Sequence, residues 1–324
     1  MSFIDHYRIG GFSIRFSFEG IEPASVREFL EYLAPFAAPA DGQDLEIRAR
    51  RIRRGSGGPA GEALARAAWG PFHRFPFEAH PAELFRLRMR NLRTFLGAPE
   101  LRETLEKAEG RGFGAVFLAL SDRGPAFFFP SEGRAEIFLD DRGRRHESAH
   151  LTSVFFQILS AALASGGGLL VHGSGIVRNG AAYAFVGLSG AGKSTVGRLS
   201  EGALLADDGL ILRKADGGFR VFATPFCQQR EGEAWKAGVA AGSAPLAGLF
   251  VLEKAGEHRL EPVPAPEAAL KILQHYVHYY RILPDDAAAS AFRTVEALVK
   301  SCPVKTLFFR KDAEFWDVIT SELR

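Results

Sequence analysis

The run "AYAFVGLSGAGKST" (Ala182–Thr195) constrains this chain more than any other stretch. An apolar, β-prone segment passes directly into a glycine-rich loop, and a helix-prone segment leaves it. Gly187, Gly192, Lys193 and Ser194 fit the spacing G-x-x-x-x-G-K-[ST]. A strand that enters such a loop and a helix that leaves it must be covered by further strands and helices, so the expected class is α/β. The loop spacing suits a phosphate group, because glycines allow backbone N–H groups to turn inward around its oxygens. The residues expected to wrap it are Gly187, Ser189, Gly190, Ala191, Gly192, Lys193, Ser194 and Thr195. Lys193 would neutralise terminal phosphates and the Ser194 hydroxyl suits Mg²⁺. The bland alternative is a glycine turn that only resembles the motif.

Two neighbours of the loop carry chemistry. Upstream, Asn179-Gly180 is a favoured two-residue hairpin turn between alternating runs. That register pairs Arg178 with Ala181 and, counted outward, brings His172 opposite Gly187, unless a bulge at Gly173 or Gly175 shifts it. Downstream, the helix after the loop is short, and "ALLADD" reads as a strand ending in Asp207-Asp208. Ligands of parallel sheets bind at the carboxyl ends of strands. If the two strands run parallel, the loop and the carboxylates converge. Adjacent residues face opposite sides of a strand, so one carboxylate can help hold a metal while the other accepts a proton. The rival reading is a charged turn before Gly209.

The chain has 324 residues, more than one core usually serves, so two domains are expected. Residues 1–145 read as an α+β accessory domain. It has strands at Phe12–Phe18 and Leu45–Ile52, a helix from Pro23, helices over 82–96 and from Pro99 to Glu109, and three short strands between Gly114 and Asp140. Residues 146–324 read as the domain that carries the loop, opening with a buried helix over Leu151–Ala164 that is too short for the roughly 20 residues a bilayer needs. A net charge of +2 gives no nucleic-acid footprint, and the arginines at 48, 50, 51, 53 and 54 read as a solvated edge. Cys227 and Cys302 cannot form a disulfide framework, and the charged start is no secretory signal, so a cytoplasmic protein is expected. "PEAALKILQHYVHYYRIL" has helical spacing. His275 and His278, three apart on it, lack a third ligand in reach and read as core or surface residues.

His172, "GLSGAGKST" and "LLADD", followed by "FRVFATPF", "PLAGLFVLEK" and "PVKTLFFRKDAEFWDVI", resemble HPr kinase/phosphorylase, and more closely the HPr-kinase-related proteins. The resemblance runs from about Leu151 to the C-terminus. It implies a nucleotide-binding fold shared with phosphoenolpyruvate carboxykinase. It also implies phosphorylation of a serine or other hydroxyl with ATP and Mg²⁺. Carried over, Asp207 is the general base, Asp208 and Ser194 are the metal side, Lys193 holds phosphate, and His172 tunes the base. The compact spacing of loop and acidic pair thus suits a kinase in which base and metal ligand follow the loop directly.

One departure stands out: no L-E-[IV]-R-G signature follows the loop, and "LEIRAR" at Leu45 precedes it. "TPFCQQREGE" stands in that place. There Glu231 or Glu233 is either a metal carboxylate or part of a solvated loop, and Thr224-Pro225-Phe226 either lines an acceptor pocket or ends a strand. That departure leaves HPr as the substrate, and any reverse phosphorylase activity, open. The expected partner is a protein, peptide or small-molecule hydroxyl acceptor, with a homo-oligomer admitted, and neither nucleic acid nor membrane. The rival readings are a nucleotide-gated binding module and an NTPase using Glu253 after "GLFVL" as its acidic strand end.

Overall fold

The computed structural model describes residues 3–40, 42–52, 98–111, 117–121, 124–140, 147–215, 217–226 and 242–322. The glycine-rich loop at 53–62, the helix expected over 82–96, the boundary at 145, Cys227, Glu231 and Glu233 lie outside them. The chain divides into two compact units. One comprises Met1–Arg8, Phe12–Ser165 and Arg281–Ala288; the other comprises Ile9–Gly11, Gly166–Tyr280 and Ala289–Arg324.

The first unit is built on β1 (Phe3–Ile9), β2 (Phe12–Glu19), α1 (Pro23–Leu33), β3 (Leu45–Ile52), α2 (Arg102–Arg111), β4 (Phe117–Ser121), β5 (Gly124–Phe129), β6 (Arg134–Asp140) and α3 (Glu147–Ser165). Its sheet runs β1-β2-β3-β6-β5-β4. β2, β3 and β6 are mutually parallel, and β5 and β4 return antiparallel. Alternation decides which face is dry: Ile14, Phe16 and Phe18 of β2 are buried. Pro23 opens α1, where a missing N–H costs nothing. Phe29 of α1 and Phe155 of α3 each meet Phe16 edge to face, at 5.3 Å between ring centroids.

That contact explains a difference from the sequence reading. α3 was expected to open the second part, yet its Phe155 packs in the core of the first unit against Phe16 and Phe29. It is also longer than expected. Its 19 residues are long and apolar enough to cross a membrane, but 72% of the apolar window is buried inside the fold. It is a core helix by packing.

The second unit contains β7 (Gly168–Arg178), β8 (Ala181–Val186), α4 (Lys193–Leu199), β9 (Ala203–Ala206), β10 (Gly209–Ala215), β11 (Gly218–Phe222), β12 (Ser243–Lys254), β13 (Arg259–Pro262), α5 (Ala265–Lys271), α6 (Asp285–Ser301, its first turn in the first unit), β14 (Val304–Phe309) and α7 (Phe315–Glu322). The order is β11-β10-β7-β8-β12-β14-β13, with β9 also on β7. β12 is long enough to pair with β11 at its start and with β8 and β14 further on, so the ladder curls round to meet itself. β8, β12 and β14 run parallel and end together. Phe185, Phe250, Leu307 and Phe309 on these strands pack with Val196 of α4 and Phe315, Trp316 and Ile319 of α7. The protein is therefore mixed α/β, with mixed sheets.

Candidate functional site

The glycine loop leaves the carboxyl end of β8, where β12 and β14 also end. Gly190 and Gly192 hold φ of +79° and +117°, a region that disfavours side chains. At Gly192 a Cβ would also sit 2.5 Å from the Phe309 ring, so the position admits nothing larger. The Ala191 N–H donates to the Leu188 carbonyl (3.0 Å), closing the loop turn. The Val196 N–H donates to the Gly192 carbonyl (2.9 Å), starting α4. Leu188, Ser189 and Gly190 are exposed, and Ser194 and Thr195 are half-buried at the helix start. Lys193 is 7% exposed, and its ammonium donates to the carbonyls of Gly187 (2.8 Å) and Leu188 (3.0 Å). Loss of water around it lowers its pKa, against the opposing pull of the Asp208 carboxylate.

The hairpin has the register read from the sequence. Asn179 and Gly180 both take positive φ, as a tight hairpin turn requires, and β7 pairs with β8 from Arg178–Ala181 to Gly173–Val186 without a slip. His172 is the next residue out, at the edge of the loop.

The acidic pair differs from its expected setting in one respect. β9 and β8 lie antiparallel to β7 on opposite sides, so they do share a direction. But the chain does not turn away after Asp207-Asp208. It continues as β10 along the same edge of β7, with Ala206 opposite Gly175 and Gly209 opposite His172. The pair is a break within one continuing edge. The break is pinned from behind by Thr224, which is fully buried. Its N–H donates to the Leu205 carbonyl (3.3 Å), its hydroxyl donates to the Gly209 carbonyl, and the Gly209 N–H donates to the Phe226 carbonyl (3.3 Å). Thr224-Pro225-Phe226 is thus a clamp on the acidic corner.

His172 Nε2 lies 3.3 Å from Asp208 Oδ1. The sequence reading made His172 the partner of Asp207. The contact belongs instead to Asp208, whose side chain is 31% exposed, while Asp207 is 2% exposed. The His172 hydrogen bond holds the Asp208 carboxyl below its ordinary range, with further help from the charges of His172, His278 and Lys193.

His278 is the residue that sequence reasoning missed. The expected helix stops early: α5 gives way to a π-helical turn at Ile272–Tyr276, and the chain then extends. The His278 N–H donates to the Leu170 carbonyl of β7 (2.8 Å), and Tyr279 takes a φ of +59°. This brings the His278 ring to 5.4 Å from that of His172, with Nε2 3.5 Å from the Asp208 carbonyl oxygen. Burial and the neighbouring His172 push its pKa down to about 4. His275, still on the π-turn, faces elsewhere, so the two histidines do not act as a pair. The unusual left-handed Tyr279 was not readable from residue types.

A separate group, His258, Asp312 and Glu314, brings ligand atoms within 4.8 Å of one another. Arg310 already pairs with both of its carboxylates.

The family model described as SynChlorMet cassette protein ScmC matches residues 139–324, more than half the chain and all of the strands that carry this corner. No curated protein matches.

Proposed function

We propose that this chain, which belongs to the family of the SynChlorMet cassette protein ScmC, is an ATP- and Mg²⁺-dependent kinase that transfers a phosphoryl group to a serine or other hydroxyl acceptor. The finer fold reading goes with it: a P-loop domain of the kind found in HPr kinase and phosphoenolpyruvate carboxykinase. One observation carries the proposal. Lys193 of the glycine loop, Asp208 and His172 come from different elements and converge in one electrostatically coupled corner at the end of β8.

Within the acidic pair we assign the roles by exposure, which is the reverse of the assignment that the resemblance implies. A proton acceptor must be reached by an incoming hydroxyl, and Asp208 is the accessible carboxylate with a histidine partner. A metal ligand has to reach only the ion beside the phosphates, not the acceptor. Asp207 and Ser194 offer the hard oxygens that Mg²⁺ prefers. When bound, Mg²⁺ would neutralise charge on the phosphate oxygens. In the transfer step the acceptor oxygen bonds to the terminal phosphorus, and the bond from that phosphorus to the bridging oxygen breaks. The hydroxyl proton passes to Asp208, and the nucleoside diphosphate leaves. Lys193 balances charge on the transferred group, and His172 holds the Asp208 carboxylate in place. The acceptor is a protein, peptide or small molecule.

The test is incubation of the protein with γ-labelled ATP and a lysate of its source organism, followed by identification of labelled hydroxyls. Transfer that needs both Lys193 and Asp208 supports the proposal. ATP binding with no transfer to any acceptor would favour a nucleotide-gated module.

A further inference from the structure

Opposite the His172–Asp208 corner, on the other flank of the glycine loop, lies a cavity of ≈ 480 Å³. Its described walls include Leu188 at the loop tip, Glu253 and Lys254 at the end of β12, and Lys271, His275 and Tyr276 from α5 and the π-turn. His172, Asp208 and Lys193 are not among those walls. The strand order explains the separation. β8 delivers the loop, β7 on one side carries His172 and pairs with the edge bearing the acidic break, and β12 on the other side carries Glu253.

Phosphoryl transfer needs the attacking and leaving oxygens roughly in line, on opposite sides of phosphorus. If the acceptor hydroxyl approaches the β7 flank, the leaving nucleoside diphosphate extends toward β12. Resting on the kinase reading above, we infer that this cavity seats the nucleoside of the phosphoryl donor. The size lies within the ~300–1,000 Å³ of small-ligand sites, and the walls have the expected mixture of apolar surface and a few polar groups.

The lining chemistry suits a ribose and a base. His275 and Tyr276 present two rings, 6.2 Å apart and inclined at 56°, against which a planar base can pack. Leu188, 61% exposed at the rim, is one of the few large apolar side chains left in water among the described residues, and a bound base would cover it. Glu253 is an exposed acceptor suited to ribose hydroxyls, while Lys254 and Lys271 add positive charge beside the path to the loop. Lys271 is held in place by Glu267 at 2.9 Å. Burial and the neighbouring Glu253 raise the Tyr276 phenol, so it remains a neutral hydrogen-bond donor. The π-turn has a purpose on this reading: it brings two consecutive aromatic residues toward the loop. Glu253 also gains a role other than the water-activating one that an NTPase would give it.

The inference separates two ligands that share phosphates. ATP carries a nucleoside, and inorganic tripolyphosphate does not. Calorimetry on the full chain with Mg²⁺ would compare the wild type with Glu253→Gln and His275→Ala, both at exposed positions where folding is not at stake. His275→Ala should lower ATP affinity about tenfold, the loss expected when a base loses a stacking partner, and Glu253→Gln should lower it by a smaller factor through a weaker acceptor for the ribose hydroxyls, with tripolyphosphate affinity unchanged in both. Lys193→Ala should weaken both ligands. If the cavity variants leave ATP affinity unchanged, or weaken both ligands equally, while Lys193→Ala still weakens both, the nucleoside is seated elsewhere and the kinase reading survives. If those variants instead raise the acceptor KM at saturating ATP, the cavity is an acceptor site. If the wild type binds neither ligand, the kinase reading falls and this inference falls with it.

Discussion

Both units bury carboxylates, but they match them with different cations. In the first unit, Glu136 of β6 is 2% exposed and pairs with Arg50 of the neighbouring β3 and with Arg134 of its own strand, with the Thr104 hydroxyl 3.4 Å away. Glu147, 1% exposed, meets Arg51 at 2.6 Å, and Arg51 is itself tied to the carbonyls of Gly20 and Asp140. A guanidinium never gives up its proton in a protein and fixes a carboxylate through a planar fork. In the second unit, the half-exposed Asp208 is matched by His172 and Lys193 beside the glycine loop. A buried carboxylate matched by arginines stiffens a sheet, whereas a half-exposed one matched by histidine and lysine leaves a charge available for chemistry.

The sharpest way to break this comparison is to neutralise one carboxylate in each unit. Asp208→Asn should cut phosphoryl transfer by about 10²–10⁴-fold, the usual contribution of a general base, with Mg·ATP affinity nearly unchanged. Asp207→Asn should instead raise the Mg²⁺ requirement. Steady-state kinetics over a Mg²⁺ series distinguishes them, and the reverse pattern would return the base to Asp207. If neither variant alters transfer to an identified acceptor, the acidic break is a turn and the mechanism is wrong. Next in size, Lys193→Ala should weaken ATP binding by about ten- to a hundredfold, the loss of charged hydrogen bonds. Unchanged affinity by calorimetry would remove the basis of the functional reading.

Glu136→Gln addresses the other half of the comparison. It strands two arginines beside a neutral amide. Removing one partner of a buried pair costs about 3–5 kcal/mol, and partial exposure of Arg50 and Arg134 puts this case at the lower end. Urea denaturation should register the loss, while the native protein keeps its ATP affinity. A Glu136→Gln protein of full stability would mean that the arginines find other partners.

How much of this was legible beforehand depended on whether local chemistry decided the geometry. The Asn-Gly turn fixes a two-residue hairpin, so the register that brings His172 to the loop could be counted from Asn179. Pro23 marked the start of α1 and alternation marked β2 and β3, because each signal lies within the element itself. What could not be read came from long-range contacts. "ALLADD" reads as a strand that ends at the acidic pair, and β9 does end at Ala206, but the return of the chain to the same edge as β10 could not be read. The Thr224 clamp, contributed by residues further along the chain, holds the break open inside a continuing edge. The apolar spacing of "KILQHYVHYY" continued the helix on paper. The His278–Leu170 hydrogen bond and the Val277–Val171 bridge draw the chain onto β7 instead, and His278 entered the site only through them.

The smallest expected effect sharpens the contrast through pH. His278 titrates at about 4 in the fold, against 6.5 for a free imidazole. The groups facing it are His172, Asp208 and Lys193, and burial outweighs the stabilising pull of Asp208 on the proton. Between those two values the unfolded chain binds a proton that the folded chain does not. Stability therefore falls as pH drops from above 6.5 toward 4, by no more than one proton's worth of slope, and the loss is complete below 4. Asp208 acts in the opposite sense and in a lower window. Its carboxyl is held below the ordinary 3.8, so its contribution persists through this range and is lost only as pH falls through the lowered value. Thermal denaturation of wild type and His278→Gln between pH 7.5 and 4.5 separates the two effects. The variant should lose less stability on acidification than the wild type. Parallel curves would show that His278 takes up its proton as readily in the fold as in the unfolded chain, and the description of its surroundings as charge-excluding would be wrong.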